Sequence, residues 1–268
     1  MRDQTTIVEV LSAFVRVHSD PAFRETNNSD DTSEPSTDRQ HDATNNVSAV
    51  SHPPTDVQAV ITVIGRLPIR QNGSLITAHL TGSRLRGVHF ERANLIGADL
   101  TSTDMMDAWL AEANLTNANL IDANLTNANL LKANLMRAKF IGANLSQATM
   151  IEATLVGVRM IQADLHGAHL TLSDASKASF HGANMQGSVL QFTNLTEAVL
   201  SSADMRNVTF IDAKTARADF ERTDLAGALL FGVDLSEALN LTQEQIDAAH
   251  GDKDTLLPPG LQTPKRWL

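Results

Sequence analysis

The side chains here that could bind metal or move protons are nine histidines and thirty-one aspartates and glutamates, so their spacing is the first question. His166 and His169 form the one close histidine pair between residues 75 and 240, and no third ligand stands at a metal-site spacing from them. Most aspartates in that region, among them Asp104, Asp164, Asp204 and Asp224, fall at one recurring phase of the sequence. That placement suits hydrogen bonds to nearby backbone better than general acid or base work. The glycines are dispersed singly rather than gathered into a phosphate-binding loop. With no cysteine, disulfides and thiolate metal sites are excluded. The residues therefore predict no catalytic constellation, no metal site and no cofactor.

What fixes those spacings is a repeat of five. At every fifth position from 75 to 235 stands Leu, Phe or Met, except at Ala175 and Thr215. Two residues earlier there is always a small side chain, most often Ala, and between the two most often Asn or Asp, as in Ala113-Asn114-Leu115. A period of five scatters leucines around a helix and alternates them across a long strand. It fits a short strand whose first and third residues point inward, followed by a two-residue corner. All ten glycines from Gly82 to Gly232 lie two residues after the central apolar residue, where a type II turn favours positive φ. Arg, Lys and Glu share this phase, so some corners are expected to use another turn. Four corners would close a coil of twenty residues. Phe140, Phe180 and Phe220 then share one inward column, and Met105, Met185 and Met205 another, as core packing. Proline is absent from Ile69 to Leu257, as a coil bonded to both neighbours requires.

The Ala-(Asn/Asp)-Leu-x-x pattern resembles the pentapeptide-repeat family. The resemblance implies an all-β fold, a right-handed quadrilateral β-helix (a β-solenoid) of about eight coils. It also brings an expectation of function. Some members resemble B-form DNA in width and charge, bind type II topoisomerases such as gyrase, and protect them from quinolones or peptide toxins.

The flanks are expected to be short helical caps on this rod, because open coil ends would invite stacking. Residues 1–19 read as an N-terminal amphipathic helix with Ile7, Val10, Leu11, Phe14 and Val15 on one side, and 20–54 as a flexible, disordered acidic linker. Residues 55–74 form the N-terminal cap, where Thr55 and Gln58 make a capping-box pattern and Val57, Val60, Ile61 and Ile64 one apolar face. The β-helix takes 75–240. Residues 241–268 form a C-terminal cap and tail, with a second box at Thr242 and Gln245, and resemble the closing segment of many bacterial members. Ile7 to Arg16 resembles part of larger actinobacterial repeat proteins, which would leave the first helix here without its packing partners.

The net charge of −10 is unevenly placed: residues 20–56 hold eight acids against two bases, and 75–240 hold 17 acids against 12 bases. The rod is only mildly acidic. No apolar stretch is long enough to span a bilayer and the N-terminus lacks a signal-peptide pattern, so a cytoplasmic protein is expected. Function is left to the outward surface. One side carries Asp104, Asp164, Asp204 and Asp224, whose carboxylates could stand in for phosphates. The neighbouring side carries an apolar ladder of Ile121, Ile141 and Ile161 flanked by Lys139 and Arg159, a candidate protein-partner or self-association surface, with a homodimer left open. The alternative is a scaffold or spacer that docks elsewhere through its N-terminal helix.

Overall fold

The computed structural model describes residues 3–19, 53, 55–66, 70–71, 74–75 and 78–268. Pro53 apart, the acidic stretch 20–54 lies outside the described residues. From His79 onward the backbone forms single-residue parallel bridges between positions twenty apart, His79↔Asp99, Arg84↔Asp104, His89↔Trp109 and so on to Asp219↔Leu239. Each coil thus has four sides of five residues, and the rod grows by one strand spacing, about 4.8 Å, per coil.

The five backbone N–H groups of a unit have four fixed destinations in the ladder and turn. Around Leu120, for example, Asn119 N donates to Ala98 O, Leu120 N to Lys139 O, Asp122 N to Ile141 O, and Ala123 N closes the corner on Leu120 O. In units that carry an accepting Asn or Asp, the fifth N–H, on the first corner residue, goes to that side chain two positions before it, although Asn94 and Asn119 make no such bond. Thr116 N donates to Asn114 Oδ1 at 3.1 Å and Ser146 N to Asn144 Oδ1 at 2.9 Å. This is an Asx turn, and it explains why that phase prefers Asn and Asp.

From residue 82 to 232 each corner adopts the left-handed conformation at its second residue, with positive φ throughout, including Lys132, Arg137, Leu172 and Phe192. The expectation of mixed turn types is therefore overturned. A left-handed L-residue costs roughly 1–2 kcal/mol, yet a different turn would misplace the N–H that bonds the next coil, as Lys132 N does to Ile151 O.

The core is the stack of inward Leu, Phe and Met with Ala between them, almost all fully buried. Its two exceptions sit beside phenylalanines: Ala175 precedes Phe180, and Thr215 lies between Phe210 and Phe220, whose ring centroids are 6.2 Å apart. Large and small side chains compensate within a layer. Thr215 donates its hydroxyl to Asp234 O at 2.6 Å.

Both ends are covered. Helix α1 (Asp3–His18) packs on α2 (Thr55–Arg66), and Val15, Val57, Ile61 and Ile64 join the rod's core. The first coil has no predecessor to take its open N–H groups, and side chains take them instead. Ser12 Oγ accepts from His79 N, Ser19 Oγ from Arg84 N, and Gln58 Oε1 from His89 N, while Gln58 Nε2 donates to His89 O. Gln58 thus ties the helix to the rod. The first helix has packing partners, against the expectation of an unpartnered helix free to dock elsewhere. Its face is also rotated from the expected one: Val8, Ser12 and Val15 are buried while Val10 is 60% exposed. Between α2 and the rod, β1 (Arg70–Gln71) pairs antiparallel with β2 (Ser74–Leu75).

At the far end α3 (Gln243–Ala248) has the expected box: Thr242 Oγ1 accepts from Gln245 N, and Gln245 Oε1 from Thr242 N. Gln245 Nε2 also donates to Phe220 O and Thr223 O, both at 2.8 Å. His250 and Leu256 extend the ladder over Leu229 and Asp234 although they lie outside the five-residue pattern. Buried Ile246 and Trp267 close the core.

Candidate functional site

With inward side chains buried and the corner backbone committed to the turns, any site must use side chains that the sides or corners turn outward. On the side centred on 85, 105 and 125, bridges run from Asp104 through Asn124, Asn144, Asp164 and Asn184 to Asp204 and Asp224, one residue per coil. The four carboxylates expected to act together do stand in one column. Each is already engaged. Asp104 accepts from Asn124 Nδ2 at 2.9 Å and lies 3.9 Å from Arg86. Asp164 accepts from Asn184 Nδ2 at 2.9 Å and from His166 N. Arg206 grips Asp204 with two bonds, 2.8 and 2.6 Å, and reaches Asp224 at 3.7 Å. The Arg206 guanidinium holds the Asp204 carboxyl below the usual carboxylate range.

Over the six coils from Asp104 to Asp224, roughly 29 Å at one strand spacing per coil, the column presents four acids. One strand of DNA presents a phosphate about every 3.4 Å. The column has about half that density, and arginine faces three of its four members.

The isoleucine ladder follows the adjacent corner. Ile121, Ile141 and Ile161 are half-buried and stacked, with Asp122 N donating to Ile141 O and Gly142 N to Ile161 O. Lys139 and Arg159 bridge one another on the side before it and are exposed. Ile161 leads directly into Asp164, so the apolar ladder and the acidic column share an edge.

The corner after the side centred on 90, 110 and 130 was not singled out by the sequence reading. It begins as a ladder of alternating charge, Arg92–Glu112 at 2.9 Å and Lys132–Glu152 at 3.3 Å. It continues as Leu172, 56% exposed, and Phe192, 50% exposed, both left-handed. The available signal was an apolar residue at the glycine phase. Trp109 is also exposed and stacks on His89, centroids 5.8 Å apart.

Among the described residues no three His, Asp or Glu side chains gather as a metal cluster requires, and no helix is long and apolar enough to cross a membrane.

The family model described as pentapeptide repeats matches in eight copies, whose segments run from residue 74 to 212, just over half of the chain. Three solved structures are similar. HetL, a pentapeptide repeat protein involved in heterocyst differentiation regulation from the cyanobacterium Nostoc sp. strain PCC 7120, is 25% identical over 69% of this chain and 85% of its own, at a TM-score of 0.49. A thylakoid-lumen pentapeptide repeat protein from Arabidopsis thaliana is 28% identical over 37% and 70%, at 0.37. QnrB1, a plasmid-mediated fluoroquinolone resistance protein, is 17% identical over 68% and 91%, at 0.36. No curated protein sequence matches.

Proposed function

The chain belongs to the pentapeptide-repeat family, and we propose that it is a non-enzymatic rod that binds a protein partner through its outward sides. Family membership gives the coil its right-handed, four-sided form. The observation behind the reading is the full commitment of the other phases: inward residues fill the core, corners carry the turns, and side chains cap both ends. What varies freely is the outward surface, where the acidic column meets the isoleucine ladder.

The test is cross-linked capture of partners by the full-length chain against I121S/I141S/I161S and D164N/D204N/D224N. A partner held by the parent and lost by either variant, with the variant still folded, supports the reading. Identical capture by all three removes this surface.

A second reading, protection of a type II topoisomerase by imitation of DNA, draws on the acids of the C-terminal half, among them Asp204, Asp212, Asp219, Asp224 and Asp234. Against it stand Arg206 and the low charge density of the column. A gyrase supercoiling assay with and without a quinolone separates the two. No effect at micromolar protein removes the topoisomerase reading and leaves the interaction rod intact.

A further inference from the structure

Leu172 and Phe192 break two local rules at once. Their φ angles are 61° and 56°, a conformation that disfavours any side chain bulkier than that of Gly or Asn, and both side chains lie more in solvent than a large apolar group ordinarily does. They are stacked neighbours, since Leu172 N donates to Gln191 O and Phe192 N to Ile211 O. Glycine occupies this phase at ten other corners, so the fold itself does not ask for Leu and Phe here. Every other non-glycine residue at this corner phase is polar or charged, so an exposed apolar pair here marks a surface retained for something outside the fold.

One coil further along the same corner is Asp212, which borders a groove also lined by Lys214, Asp234 and Glu237. Three carboxylates against one ammonium give the groove a negative excess beside the apolar pair. We infer that Leu172, Phe192 and this groove form a docking surface for a cationic, amphipathic protein segment, with apolar residues seated on the pair and Lys or Arg in the groove. The inference rests on the reading of the rod as an interaction protein but uses a different side from the acidic column.

The probe is a synthetic peptide of alternating leucine and lysine, titrated against the full-length chain by fluorescence anisotropy. A leucine–glutamate peptide serves as control. The parent should bind the first peptide and not the second. L172G/F192G should bind at least tenfold more weakly while melting at a higher temperature, because glycine relieves the corners. D212N/D234N/E237Q should also bind more weakly. D164N/D204N/D224N, on the other side, should bind as the parent does, which separates failure here from failure of the acidic column. The proposal is overturned by absence of binding to the parent, by equal affinity in L172G/F192G, or by equal binding of the leucine–glutamate peptide. Self-association of the parent that disappears in L172G/F192G also overturns it, because the occupant is then a second copy.

Discussion

The hydroxyl of Ser188 is fully buried at a position where alanine is the commonest residue, and it has no hydrogen-bond partner. Ser188→Ala should therefore stabilise the rod by about 1 kcal/mol, the desolvation cost of an unpaired hydroxyl, read as a raised melting temperature. Asn144→Ala should do the reverse by about 1 kcal/mol, because the Ser146 amide and hydroxyl both lose their acceptor. Acid acts at the same scale. Asp204, Asp234 and Asp252 are held below the usual carboxylate range by Arg206, the Ser236 hydroxyl and the Gly232 amide respectively. A depressed folded-state pKa contributes stability above the unfolded value and loses it as pH falls through the folded value. Melting temperature should hold near neutrality and fall below about pH 4, and Asp204→Asn should flatten part of that fall. At this scale the inward residues were legible from spacing alone. The exposed pair at Leu172 and Phe192 was not, because a rule for which residues suit a corner says nothing about where an unsuitable one is kept for a partner.

Elements at the two ends carry the least repetitive chemistry. Gln58 satisfies both backbone groups of His89, and Gln245 bridges two open carbonyls. Gln58→Ala should speed amide exchange at His89 by roughly tenfold, the equivalent of one lost hydrogen bond, and leave the central coils protected. Equal change along the whole rod would contradict this local role. Removing residues 1–19 should lower the melting temperature, since it takes away the helix packed on α2 and strips Ser12 and Ser19 from the first coil. Helix α2 and the second capping box were visible in the sequence because their signals are local. The destination of Gln58 is thirty-one residues away, and the buried face of α1 includes polar Ser12, so apolar spacing alone pointed to a different face.

For the whole molecule, ends whose open backbone groups are taken by side chains predict a monomer. Light scattering should give the mass of one chain, and a concentration-dependent dimer would show that a side has paired. The fold is made by inward side chains and corner backbone, and the function by the side chains that the sides and corners turn outward. A substitution scan of the full-length chain that reads folded yield and partner recovery separately tests this most directly. The expected result is loss of folding at inward positions such as Leu125, Phe140 and Ala143. Loss of partner with folding intact should appear only at outward or exposed corner positions. A scan in which no outward substitution affects recovery, while every loss of recovery follows loss of folding, would contradict the account.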